Sequence, residues 1–189
     1  MIKENDRNIP LAELHTFKDH PYKVEDNMEM DALCESISKG GLLSPIIVRP
    51  RDEGGYEIIS GHRRFRAYQR LGMTEIPSTV CEMTDEEAVV AMVDANLHRD
   101  HILPSEKAFA YKMKLDAIKR QGERTDLTSA QIGQRLTSVE KIAAESDESK
   151  SQVQRYISLQ QLENNILADG VVINPIIVWD GVIVDGHNR

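Results

Sequence analysis

The chain has 189 residues, 40% of them hydrophobic, and a formal charge of −8. That is enough for one core of ordinary size or two small ones, and it excludes a disordered polyelectrolyte. The negative balance also argues against polyanion binding by the molecule as a whole, so any nucleic-acid role has to rest on local basic patches.

Residues 1–24 are polar, contain Pro10 and Pro21, and read as an extended lead-in around the short apolar run IPLAEL. MIKENDRNIP has no apolar core of signal-peptide length, and no segment approaches about eighteen consecutive apolar residues, so neither export nor a membrane span is expected. Cys34 and Cys81 lack metal-type spacing and read as small hydrophobes in a reducing cytoplasm. A helix is predicted from Met28 to Lys39, stopped by Gly40 and Gly41. LLSPIIVRP then reads as a strand, RDEGG as a turn and YEIIS as a second strand that leads to Gly61.

Phe65, Tyr68 and Leu71 recur at helical spacing until Gly72, which places Gly61 at a strand-to-helix turn. The first N–H groups of such a helix lack internal partners and sit at the positive end of its dipole, so they attract an anion. Arg63, Arg64 and Arg66 add forked donors suited to phosphate. The alternative for a charge run of this kind is an ordinary solvated helix face. Residues 61–72 hold four arginines and no acid, and a second basic patch spans 107–124, while acids concentrate at 25–35 and 82–100.

EIPSTVCEM reads as a further short strand, and Thr84 with Glu87 has capping-box spacing at the start of a helix to about Ala95. From Ser105 the pattern is all-helical. Ala108, Phe109, Met113 and Ile118 are expected on one face of the first helix, and Thr128, Ser138 and Ser149 are placed to cap three more. The last two of these helices, with Lys150, Ser151, Gln152 and Arg155 on the exposed side of the second, have a helix-turn-helix outline. Near the end, NPIIVWDGVIVDGHNR matches SPIIVRPRDEGGYEIISGHRR once its hairpin is shortened: Pro45 with Pro175, Ile58 with Ile183, Gly61 with Gly186, His62 with His187 and Arg64 with Arg189. This is an internal repeat. Three units are thus expected, at 1–103, 104–162 and 163–189.

GLLSPIIVRP, GHRRFRAYQRLG and ANLHRDHILPSEKA, in this order ahead of a helix-turn-helix, resemble the ParB partition-protein family over roughly residues 9–160. The resemblance implies an α+β architecture: a ParB/sulfiredoxin-like N-terminal domain followed by an all-helical helix-turn-helix DNA-binding domain. It implies CTP with magnesium as ligand. The triphosphate would be held by Gly61, His62, Arg63, Arg64 and Arg66, the nucleotide lined by Leu43, Ser44, Pro45 and Ile46, and nucleotide and metal approached by Asn96 and Arg99, with Asn96 as the magnesium residue. Ser149, Lys150, Ser151, Gln152 and Arg155 would meet a centromere-like double-stranded DNA site. Further implied are self-association through the N-terminal domain, a ParA-type ATPase as partner, and a cytoplasmic, nucleoid-associated protein with no membrane contact.

Two positions depart from the family pattern. His62 and Ala95 stand where many members carry Glu, so slow CTP hydrolysis is less well supported than binding, and a neutral imidazole is a poor magnesium ligand. Asp147 stands at the turn where Gly is usual, which Asp tolerates better than most residues. Sulfiredoxin chemistry needs a cysteine near Gly61, where Ser60 stands instead. A phosphotransferase or nuclease on the same fold, and a mobile-element regulator that uses the same DNA module, remain the competing functions.

Overall fold

The computed structural model describes residues 4–97, 102–125, 138–146 and 148–169, together with the strands at 177–179 and 182–185. Arg99, Asp147, the helix expected after Thr128 and the second Gly-His-x-Arg lie outside the described residues. The N-terminal sheet has β1 (Glu4–Pro10), β2 (Leu14–Thr16), β3 (Ile46–Pro50), β4 (Tyr56–Ser60) and β5 (Glu75–Cys81) in the order β1-β5-β3-β4-β2. β1 is antiparallel to β5, β5 parallel to β3, β3 antiparallel to β4 and β4 parallel to β2.

The two outermost strands follow one another in the chain, with only a 3-10 turn, Leu11–Glu13, between them. So short a link requires the sheet to curl until its edges approach. Arg7 on β1 accordingly reaches β4, where its guanidinium stacks over the Tyr56 ring at 4.7 Å and donates to the Tyr56 hydroxyl. The lead-in predicted as merely extended thus supplies both edge strands.

The helices α1 (Met28–Gly40), α2 (His62–Arg70) and α3 (Asp85–Leu97) complete this part. Asn27 starts α1, its side-chain oxygen accepting from the Met30 N–H at 3.1 Å. Thr84 and Glu87 form the capping box of α3, with the Thr84 N–H donating to Glu87 Oε2 at 2.8 Å and the Glu87 N–H to Thr84 Oγ1 at 3.3 Å. Adjacent residues of β4 point to opposite faces, so Ile58 and Ile59 enter different cores. Ile58 packs with Ile46, Val48, Ile76, Met30, Ile37 and Phe65 under α1 and α2. Ile59 packs with Phe17, Tyr22, Met92, Val93 and Ala110 on the other side. Each Ile, Val, Met or Phe side chain among these contributes about 1.5–3 kcal/mol on burial.

The helices α4 (Pro104–Thr125), α5 (Ser138–Glu145) and α6 (Lys150–Asp169) follow. Only Ala108 of the four residues expected on one face of α4 is fully buried; Ala110, Tyr111, Lys114, Leu115 and Ala117 are buried instead. The reason is that α4 is covered from two sides. Ala110 belongs to the core with α3, and Tyr111 and Leu115 to a third core with Ile142, Ala143, Val153 and Ile157 of α5 and α6. Lys114 has 0% of its side chain exposed and is ion-paired to Asp94 of α3 and Glu145 of α5.

β6 (Ile177–Trp179) and β7 (Val182–Asp185) pair antiparallel as a separate two-stranded sheet. Their register shifts between Ile177 and Val178, and that of β3 with β4 shifts between Ile47 and Val48. These are matched positions of the repeat, so the second copy reproduces the bulge as well as the sequence. No helix among the described residues is long and apolar enough to cross a membrane.

Candidate functional site

Gly61 caps α2 with φ 105°, a left-handed conformation that favours glycine. A Cβ here would also lie 2.5 Å from Ile46 Cγ2, so the turn and the neighbouring strand β3 are packed too closely for any larger residue. The start of α2 opens into a cavity of about 190 Å³ lined by His20, Val24, Ser60, Gly61, His62, Arg63, Arg64, Ala95 and Asn96. The lining holds two arginines and two histidines, and no carboxylate.

The arginines of α2 differ in their partners. Arg63 donates to Glu29 at 3.0 Å, Arg66 forms two hydrogen bonds to Asp26 at 3.2 and 2.6 Å, and Arg70 donates to Asp31 at 2.6 Å. All three acids lie at or near the start of α1. Arg64 alone among these, within the described residues, has no carboxylate partner: its Nη1 donates to the carbonyls of Ser44 and Pro45 at 2.7 and 2.8 Å. Burial pushes the Arg64 guanidinium below its ordinary pKa, the mark of a cation that has lost water without gaining a counter-charge.

His62 is buried, receives the Phe17 N–H on Nε2 at 3.4 Å, and lies against the His20 ring with centroids 3.8 Å apart. In this contact Nε2 is the acceptor. His20 donates from Nδ1 to the Tyr22 carbonyl at 2.7 Å. Asn96 lines the cavity and turns its amide N–H to the Met92 carbonyl at 2.8 Å, which leaves its oxygen as acceptor.

Of the strand residues expected to line a ligand, Leu43 is 95% exposed, Ser44 and Pro45 meet Arg64 through their carbonyls, and the Ile46 side chain is in the core. Arg66 points to Asp26 and is not among the cavity residues. His20 and Val24 were not singled out by sequence: they come from the polar lead-in, whose approach to α2 is a tertiary event with no local pattern.

In the helical part, α6 turns Val153, Ile157 and Gln160 inward and leaves Ser151, Gln154, Arg155 and Ser158 exposed. Lys150 is paired with Glu140 at 2.8 Å. The Gln152 amide oxygen accepts from the Ser149 N–H at 3.1 Å and from its hydroxyl at 2.9 Å, while the Gln152 N–H donates to Ser149 Oγ at 3.2 Å. This is a capping box on α6.

Residues 2–97 match the family model of the ParB N-terminal domain. The chain belongs to the ParB N-terminal domain family. Among curated ParB relatives, a nucleoid occlusion protein of Geobacillus thermodenitrificans is 37% identical over 71% of this chain and 45% of its own length. A chromosome-partitioning protein ParB of Myxococcus xanthus is 36% identical over 69% of this chain and 43% of its own. The chain therefore spans less than half the length of these relatives. A solved, C-terminally truncated ParB of Caulobacter crescentus, complexed to the centromeric parS site, shares the fold with a TM-score of 0.55 at 24% identity, covering 88% of this chain and 80% of that one. The ParB N-domain fold is thereby established for the curled sheet and its helices.

Proposed function

We propose that this protein is a nucleotide-switched, sequence-specific DNA-binding protein of the partition type. The α2 cleft holds the triphosphate of CTP, the helical region reads a DNA site, and nucleotide binding brings two N-terminal domains together around the duplex. The observation that carries this reading is Arg64, a half-buried guanidinium with no carboxylate partner in a cleft without acids, in a chain of net charge −8. A triphosphate brings about four negative charges, and in phosphoryl sites cationic side chains with magnesium share their neutralisation.

A cavity of about 190 Å³ is smaller than the roughly 300–1,000 Å³ of sites that enclose a whole ligand of drug size. The cleft fits the phosphates, and the nucleoside then lies across open surface beside the exposed Leu43, available to a second copy. The preference for cytidine rests on the family resemblance. Magnesium fits as an ion carried in by the phosphates: no group of three or more potential ligands of the His, Cys, Asp and Glu type occurs among the described residues, and Asn96 and Ser60 supply neutral oxygens at the cavity wall. When bound, magnesium would neutralise phosphate charge. Arg64 and the α2 N–H groups bind and orient the anion, and Arg63 closes its rim.

A phosphotransferase or nuclease would need a carboxylate base, and none of the described residues that line the cleft is an acid. The His62 imidazole that lines the cleft is buried, and its Nε2 already accepts from the Phe17 N–H. Slow hydrolysis would have to draw on groups beyond this wall.

The test is titration calorimetry with CTP, ATP, GTP and UTP in magnesium, with and without duplex DNA. CTP is expected to bind in preference to the others, and Arg64→Ala to lose at least about 1.5–3 kcal/mol of it, the worth of a hydrogen bond to a charged group. Absence of CTP binding in either condition would return the α2 arginines to the role of a charged helix face.

A further inference from the structure

The N-terminal turns of α6 hold two glutamines, and the structure gives them different work. Gln152 is folded back on Ser149 by the three hydrogen bonds of the capping box. Gln154, two residues on, is exposed and has no hydrogen-bond partner among the described residues. Successive residues of a helix are rotated by about 100°, so the two amides lie about 200° apart around α6.

The helix has an inward side marked by Val153, Ile157 and Gln160. Ser151, Gln154, Arg155 and Ser158 fall at i, i+3, i+4 and i+7, the spacing of a single face, and all four are exposed. That face is about 10 Å long at 1.5 Å per residue, close to the rise of three base pairs. From Lys150 to Leu162 the helix carries no acid, although the chain as a whole is acidic; Lys150 is ion-paired to Glu140, and Arg155 is the cation on this face. Charge and length therefore suit a strip of duplex, and the side chains are the types that read base edges: an amide, a guanidinium and two hydroxyls.

We propose that Gln154, and not Gln152, is the base-reading glutamine of this protein, presented between Ser151 and Ser158 in the major groove, while Gln152 holds the start of α6 in shape. This assignment rests on the reading of the helical region as a DNA-binding module. A carboxamide offers one donor and one acceptor side by side, the pattern complementary to N7 and the N6 amino group of adenine. Gln154 then specifies an A·T pair. Gln152 cannot offer the same pair of atoms without releasing Ser149, since its oxygen already accepts two hydrogen bonds there.

The experiment uses the full chain and duplexes enriched by the wild-type protein from a random-sequence pool. Binding is measured by fluorescence anisotropy for the enriched duplex, its single-base-pair variants and an unselected duplex. Gln154→Ala is expected to bind the enriched duplex roughly 5- to 150-fold more weakly, the fold-change of a lost bidentate base contact. Its binding to the unselected duplex stays as in wild type, and one A·T position loses its preference. Gln152→Ala is expected to weaken enriched and unselected duplexes together and to lower the melting temperature, whereas Gln152→Glu, which keeps the capping box, restores the melting temperature and the base preference at every position. Wild-type discrimination by Gln154→Ala, or loss of preference at one position in a stably folded Gln152→Ala, overturns the assignment alone. A pool from which no sequence is enriched overturns both the assignment and the DNA reading beneath it.

Discussion

Lys114 on α4 and Asp94 on α3 form an ion pair in which the ammonium has no contact with solvent and the carboxylate is 42% exposed. Glu145 of α5 completes the arrangement from the other side, with 53% of its side chain exposed. One buried cation therefore ties the sheet-bearing part of the chain, through α3, to the helices around α6. Asp94 is two residues from Asn96 in the cleft wall.

The asymmetry of exposure sets the cost of breaking this contact. If Lys114 becomes Met, an apolar chain of similar length fills the site and both carboxylates return to water, so Lys114→Met should cost less than about 2 kcal/mol. Asp94→Asn with Glu145→Gln instead leaves an ammonium buried without counter-charge, which should cost about 3–5 kcal/mol. Urea unfolding of the two proteins ranks them, and the reverse order would show that the acids, not the lysine, are the strained partners.

Glu29 competes with any anion for Arg63. The pair is exposed, with 34% and 65% of the two side chains in solvent, and such contacts are worth about 0–1 kcal/mol. Glu29→Gln should therefore strengthen CTP binding by up to about fivefold and never weaken it. Calorimetry beside the wild type reads the change; an affinity loss would mean that Glu29 orders Arg63 for the ligand.

The two hydrogen bonds from Arg66 hold the Asp26 carboxyl below its ordinary value of 3.8, with further help from the charges of Arg66 and Arg70. A lowered folded-state pKa stabilises at pH above the unfolded value, and that contribution is lost as pH falls through the folded value. Wild-type protein should lose more stability in this acid range than Arg66→Gln, in which only the Arg70 charge is left to hold the Asp26 carboxyl down. Carboxyl chemical shifts followed against pH give both midpoints, and equal midpoints would refute the pairing in solution.

The hairpin of β6 and β7 is a two-stranded sheet of its own, and isolated hairpins are marginal in water. Amide exchange at Val178 and Ile183 should be much faster than at their repeat partners Val48 and Ile58, which are buried in the first core. Equal protection would show that the second hairpin has a covering surface.

Much of the N-terminal domain was legible from sequence because its signals are local. The apolar runs at 46–50 and 56–60, the glycine turn between them and the Thr84–Glu87 capping box each need only a few neighbouring residues to be read. β1 was not, because an edge strand with Ile9 as its buried hydrophobic residue has no alternation to display. Lys114 was counted within a basic surface patch, since nothing local says that two acids from other helices will cover it. The capping role of Gln152 was within reach, as Ser149 and Gln152 have the spacing that identified Thr84 and Glu87. In the cleft, Gly61, Arg63 and Arg64 were found from one segment, whereas His20 arrives from 42 residues upstream of His62 and has no sequence mark.

The curled sheet also dictates an order of assembly. Glu4 pairs with Cys81 and Pro10 with Glu75, so β1 waits for the synthesis of some seventy further residues before the strand it pairs with exists. Closing so long a loop is slow compared with forming the helices between. Meanwhile β5, once formed, presents an open edge beside Ile76 and Val80, which is a template for pairing with another chain. A shortened N-terminus that removes Glu4–Pro10 would make that transient edge permanent, and intermolecular strand pairing, rather than loss of any ligand contact, would be its first visible effect.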